Sequence, residues 1–106
     1  MWKVEALNAL VEAELSALPD DMLARLRKIG ELIQMHGLER MRAPHVKHIE
    51  GRLWKIRLTG RDGIARAIYV TASGKRVVIV RVFIKKTQKT PRQEIELAHK
   101  RAKEVV

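Results

Sequence analysis

"LWKIRLTGRDGIARAIYVTASGKRVVIVRVFI", residues 53–84, is the stretch whose reading decides the fold. In "LWKIRLT" polar and apolar residues alternate, which sets Trp54, Ile56 and Leu58 on one face of a strand and Lys55, Arg57 and Thr59 on the other. "GRDG" is a turn signal, and "IARAIYVT" reads as a second strand. "ASGK" turns again, and "RVVIVRVFI" is a third strand, apolar enough to be central. A two-residue loop at Asp62-Gly63 sets Thr59 opposite Arg66, with Arg57 one pair away on the same face. A two-residue loop at Ser73-Gly74 sets Arg66 opposite Arg81. Even-length loops therefore align Arg57, Arg66 and Arg81 across three strands, whereas an odd loop or a bulge breaks that inference. The other face, with Trp54, Ile56, Leu58 and Tyr69, suits packing against helices.

On the N-terminal side, "WKVEAL" reads as a short strand. Leu7, Leu10, Val11, Leu15 and Leu18 then fall at helical spacing until Pro19 breaks the pattern. A second helix follows, with Asp20 as N-cap, Met22, Leu26, Ile29 and Ile33 on its stripe, and Gly37 as its stop. Residues 38–52 are polar and read as a connector. At the other end, "TPRQEIELAHKRAKEVV" reads as a closing helix with Ile95, Ala98, Ala102 and Val105 inward. The order β-α-α-β-β-β-α predicts an α+β fold: a small antiparallel sheet with a helical hairpin and a C-terminal helix, helices on one face. At 106 residues, the length predicts a single domain over residues 1–106.

The composition, 46% hydrophobic and 32% charged, is that of an ordinary globular protein. With no cysteine, disulfides, thiol catalysis and the usual structural zinc sites are excluded. No apolar run approaches the ~18 residues of a membrane span, and "MWKVEALNAL" lacks the pattern of a signal peptide, so a cytoplasmic protein is expected. The net charge of +10 is unevenly spread. Residues 1–50 hold 7 Lys/Arg against 8 Asp/Glu, and residues 51–106 hold 15 against 4. That asymmetry points to a polyanion, with nucleic acid first.

A row of like charges across strands costs stability unless an anion sits on it. Arg57, Arg66 and Arg81, with Lys85, Lys86 and Lys89 at the sheet's end, therefore form a candidate phosphate site. Arginine grips phosphate but is a poor base, whereas lysine crowded by cations exchanges protons nearer neutrality.

"GRLWKIRLTGRDGIARAIYV" and "VFIKKTQKTPRQEIELAHKR" together resemble the phage-derived, HigB-like branch of the RelE toxin superfamily, and the likeness covers most of the chain. The resemblance implies a RelE-like fold and the toxin of a type II toxin–antitoxin system. It implies a metal-independent endoribonuclease with no cofactor that cuts mRNA on the 70S ribosome and so inhibits translation, restrained by a cognate antitoxin. In such chemistry a ribose 2′-hydroxyl attacks the adjacent phosphate and leaves a 2′,3′-cyclic end. Carried over by motif, Arg57, Arg66, Lys85 and Lys86 are the catalytic residues, with Lys86 as acid or transition-state cation. Lys55, Arg81, Lys89 and Arg92 are RNA contacts. A lysine or His99 is left as the general base.

Two other readings stay open: a non-catalytic RNA- or ribosome-binding module, and a protein whose sheet and helices serve a partner. His45 and His48 in "PHVKH" have metal-ligand spacing but no carboxylate or thiolate beside them, so no metal site is expected. His36 reads as a helix-end residue, "SGK" at 73–75 as a hairpin turn, and Trp2, Trp54 and Tyr69 as core.

Overall fold

The computed structural model describes residues 1–41, 45–86 and 88–105. Its elements are β1 (Lys3–Ala6), α1 (Ala9–Ser16), α2 (Asp20–His36), a 3-10 turn (Leu38–Arg40), β2 (Val46–Glu50), β3 (Leu53–Gly60), β4 (Gly63–Ala72), β5 (Arg76–Lys85) and α3 (Arg92–Ala102). The strands form one sheet in the order β1-β5-β4-β3-β2. The α+β class and the order of its main elements are as the sequence predicts.

Three details differ. β1 pairs in parallel with β5, so the sheet is mixed and not wholly antiparallel. The polar connector contains the strand β2, which the sequence reading missed because only Val46 of "VKHIE" is fully buried. And the helices cover both faces. Val11, Met22, Leu26, Ile29 and Ile33 from α1 and α2 pack with Ile56, Leu58 and Tyr69 on one face. Ile95, Ala98 and Ala102 of α3, with Val105 beyond it, pack with Leu53, Ile68, Val70, Val78 and Val80 on the other. β4 and β5 are apolar on both sides for this reason.

Asn8 caps α1, its Oδ1 accepting from Val11 N at 3.1 Å. Of the expected α1 stripe, Val11 and Leu18 are buried while Leu10 is 63% exposed. Pro19, not Asp20, occupies the N-cap of α2, leaving Asp20 and Asp21 in the first turn, where the helix dipole favours them. Asp21 also ties α2 to the β3–β4 turn: its Oδ1 accepts from Met22 N at 2.9 Å and its Oδ2 from Arg61 N at 2.5 Å. Gly60 makes that approach possible, since a Cβ there would lie 2.8 Å from Met22 Cγ and 2.9 Å from Asp21 Oδ2.

The hairpin registers depart from the sequence reading and still keep the arginines on one face. Gly60 pairs with Gly63 across Arg61-Asp62, which sets Arg57 directly opposite Arg66. The next loop is odd: Ala72 pairs with Arg76 across Ser73, Gly74 and Lys75. A bulge at Val80 then restores the parity, so Arg81 pairs with Ile68 and Phe83 with Arg66. Arg81 is thus displaced by one pair from the position opposite Arg66. The bulge is braced from two helices: Arg101 Nη1 donates to Val80 O at 2.9 Å, and Glu14 Oε1 accepts from Val82 N at 3.0 Å.

Candidate functional site

α3 covers only half of its face, the half built from Leu53, Ile68, Val70, Val78 and Val80. The other half has no described helix over it and is cationic. Register places Lys47 of β2 opposite Lys55 of β3, Arg57 opposite Arg66 of β4, and Lys85 of β5 opposite Ile64. These five cations, with His45 and Gln88, line a cleft of about 430 Å³. No carboxylate is among its described lining residues.

Arg66 lies at the bottom, 6% exposed. Its guanidinium donates to Thr90 Oγ1 at 2.6 Å and to Gln88 O at 2.9 Å, both neutral oxygens of the segment leading into α3. Burial, then the Arg57 charge, lowers its pKa, yet an arginine stays protonated. A buried guanidinium without a carboxylate is an unusual expense in a fold, and it is the arrangement an incoming anion would relieve. Arg57 stands exposed across from it; its side chain has no hydrogen bond or ion pair within the described residues. Lys55 Nζ reaches the same Thr90 hydroxyl at 3.5 Å. Burial lowers the Lys55 pKa first, followed by the charges of Arg66, Lys47, Lys85 and Arg57. Lys85 is lowered in the same direction, by partial desolvation and then by Arg66 and Arg57, and its Nζ lies 3.5 Å from Gln88 Oε1.

Of the residues singled out in the sequence, Arg57, Arg66, Lys85 and Lys55 are therefore brought together. Lys86 is not part of this lining; it borders the next concavity, with Gly63, Ile64, Lys85 and Gln88. Arg81 shares the sheet face but is neutralised, held by Glu14 at 2.9 Å and by Glu94 at 2.7 Å. The Glu94 hydrogen bond raises its pKa. Arg92 is paired with Glu50 at 2.7 Å, and His99 Nε2 meets the same carboxylate at 2.8 Å, so both lie outside the cleft lining. Lys89 lies exposed in the bend before α3.

Sequence reasoning missed His45 and Lys47, because it had no strand at 46–50. The turn at Gly51-Arg52 pairs Glu50 with Leu53, and a bulge between His48 and Glu50 then sets Lys47 opposite Lys55 and His45 beside Arg57, whose N–H donates to His45 O at 2.8 Å. It also missed Thr90, whose hydroxyl is shared by two cations. His45 faces the cleft, while His48 packs on Trp54 with ring centroids 4.8 Å apart, so the two histidines point to opposite sides of β2. Among the described residues, no cluster of three His, Asp or Glu could hold a metal. Tyr69 is core as expected, whereas Trp54 is 39% exposed.

Fold and site together define a class: a small basic α+β protein with a cation-lined cleft, suited to an anion, on the uncovered half of its sheet. The chain belongs to the family described as phage derived protein Gp49-like (DUF891), whose model matches residues 13–103. That family lies broadly within the RelE/HigB-like toxins, a membership that implies a cognate antitoxin. No curated protein sequence matches the chain. No described helix is long and apolar enough to cross a membrane.

Proposed function

We propose that this protein is the toxin of a type II toxin–antitoxin system, of the phage-derived HigB-like branch. In this reading it is a cytoplasmic, metal-independent endoribonuclease that cleaves mRNA on the ribosome and so stops translation. The observation that carries the reading is the buried, carboxylate-free Arg66 at the floor of a five-cation cleft in a toxin-like family. A phosphodiester seated there is gripped by Arg66 and Arg57 from two adjacent strands, and guanidinium forks fit its oxygens two at a time.

The chemistry asks little more. The ribose 2′-oxygen forms a bond to phosphorus, its proton passes to a base, and the bond from phosphorus to the 5′-oxygen breaks as that oxygen takes up a proton. The products are a 2′,3′-cyclic phosphate and a 5′-hydroxyl. Lys55, whose pKa is lowered by burial and then by the surrounding cations, is the group that accepts the proton in this reading. Lys85 delivers the other proton to the leaving oxygen, and Arg57 and Arg66 stabilise the charge of the phosphorane. Lys86, Lys89 and Arg92 act as contacts along the RNA, and Arg81 acts through the position of β5.

The test is incubation of mRNA with purified protein in EDTA, with and without translating ribosomes, beside Arg66→Ala. The expected result is cuts ending in a 2′,3′-cyclic phosphate, dependent on ribosomes and lost in the variant. Intact RNA in every lane, with wild-type protein folded and free of antitoxin, would leave a non-catalytic RNA-binding module.

A further inference from the structure

The cationic surface does not stop at the cleft. β2 begins at Val46, opposite Ile56, so beyond that pair the outer edge of β3 has no described strand beside it. Here a smaller concavity of about 230 Å³ is lined by Arg25, His45, Arg57 and Thr59. His45 and Arg57 line both this concavity and the main cleft, so the two adjoin at these residues. Three of its four residues come from the sheet edge. The fourth, Arg25, comes from the exposed side of α2, opposite the stripe of Met22, Leu26, Ile29 and Ile33.

Arg25 arrives there for a structural reason. Its helix is pinned to the β3–β4 turn through Asp21, and the acid one turn before Arg25 is thereby occupied. Both Asp21 oxygens accept backbone N–H groups, from Met22 and from Arg61, and form no ion pair with Arg25. Neither Arg25 nor Arg57 has a carboxylate partner among the described residues. Two guanidinium groups, a hydroxyl and an imidazole around one concavity make a donor set for a tetrahedral oxyanion, not for a cation or an apolar group.

We propose that Arg25, Arg57, His45 and Thr59 form a second phosphate subsite, which takes the phosphate adjoining the one at Arg66. This deepens the ribonuclease reading and rests on it. Arg57 then touches two successive phosphates, and Arg25 is an RNA-binding residue of the helical hairpin that fixes the register of the strand in the cleft. A sequence-independent grip on neighbouring phosphates is how a nuclease holds a strand without reading its bases.

The experiment measures binding of a 2′-O-methyl RNA oligonucleotide, which cannot be cut, across a salt series. Arg25→Ala is set beside Arg27→Ala, a change of equal charge on the same helix that lines a different groove. Loss of one single-strand phosphate contact lowers the slope of log affinity against log salt by about 0.7, which is about fivefold in affinity at 0.1 M salt. That loss is expected for Arg25→Ala and not for Arg27→Ala. Cleavage of mRNA on translating ribosomes by Arg25→Ala should slow at low substrate and recover at saturation. Equal behaviour of the two variants, with wild type binding normally, overturns the subsite alone. Wild type that binds but never cuts, even with translating ribosomes present, overturns the nuclease reading and leaves the subsite standing. Wild type that fails to bind overturns both.

Discussion

Arg66 and Arg81 sit on the same face of the same sheet, one strand apart, and have opposite surroundings. Arg81 meets two carboxylates, Glu14 from α1 and Glu94 from α3, at 2.9 and 2.7 Å. Arg66, more deeply buried, meets only a hydroxyl and a backbone carbonyl. Burying a charge is costly, and the ordinary remedy is a partner of opposite sign. The chain applies that remedy at Arg81, where two helices must close on β5, and withholds it at Arg66, directly opposite the exposed Arg57. The difference separates a cation that holds the fold from one kept for something that arrives.

The two arginines should therefore fail in opposite ways. The largest effect is expected in cleavage by Arg66→Ala, which removes a charge aimed at the developing phosphorane. Single electrostatic donors of this kind are worth roughly 10²–10³ in rate. The folded variant should keep its stability or gain a little, because a buried charge with no ionic partner has gone. Arg66→Lys should recover binding better than rate, since a lysine cannot reproduce the fork. Single-turnover kinetics beside thermal melts checks both, and a variant that melts early while still cutting would erase the contrast.

Arg81→Ala should do the reverse. It leaves Glu14 and Glu94 facing each other across β5 without their cation, while Arg101 still holds Glu14 at 2.8 Å. Breaking a buried pair costs ~3–5 kcal/mol, and these side chains keep some exposure, so about 2–3 kcal/mol is expected here. The measurement is denaturant unfolding. Cleavage at a temperature where the variant is folded should change less than threefold (about 0.65 kcal/mol). Replacing Glu14 and Glu94 with glutamine as well should restore part of the loss, which a double-mutant cycle would quantify.

The cluster around Arg66 makes a third, smaller prediction, and its sign follows from linkage. Lys55 has a folded pKa below its unfolded value near 10.5. The unfolded chain therefore binds more protons between those two values, and stability rises with pH across that window. Lys55→Met should melt higher than wild type at pH 7, by an amount like that of a like-charge cross-strand pair, about 0.2–1 kcal/mol. The gap should shrink as pH climbs toward 10.5. A gap that is constant with pH would show that packing, not charge, sets it.

Much of this contrast was legible in the sequence. Alternation in "LWKIRLT" and the turn signals located three strands, and the core residues of α2 and α3 were identified from periodicity. The face shared by Arg57 and Arg66 was also readable, because side-chain parity survives an error of one pair in register. What could not be read was compensation. Glu14 lies 67 positions before Arg81, and its approach depends on where β1 ends beside β5 and on a bulge whose excess residue no local pattern marks. The sequence reading therefore treated Arg81 as a third anion ligand. It likewise missed β2 and so lost Lys47 and His45, because an edge strand with one buried side chain carries too weak an alternation. Arg25 was hidden for a related reason: helical periodicity sorts residues into inside and outside but does not say which outside residues curl round a sheet edge.

The smallest effect is at the near end of α3, and it sharpens the comparison by adding a third kind of cation. Arg92 and His99 both hold Glu50, as Glu14 and Glu94 hold Arg81, but Arg92 is 62% exposed. Hydrogen bonds from Arg92 and then from His99 lower the Glu50 pKa below the ordinary value of 4.5. A carboxylate with a depressed folded pKa contributes stability that is present above its unfolded pKa and lost as pH falls through the folded one. Glu50→Gln should therefore flatten the decline of melting temperature below about pH 4.5 and leave the neutral-pH value nearly unchanged, since exposed pairs contribute little. Added salt should erase even that difference, because water and ions reach this pair from every side. Salt should leave the Arg81→Ala loss largely in place and should weaken RNA binding at Arg66 steeply, since there the partner itself is displaced by counterions. One salt series on three variants thus separates a surface pair, a structural pair and a ligand site, and a uniform response would mean that the three cations are not the different things their surroundings make them.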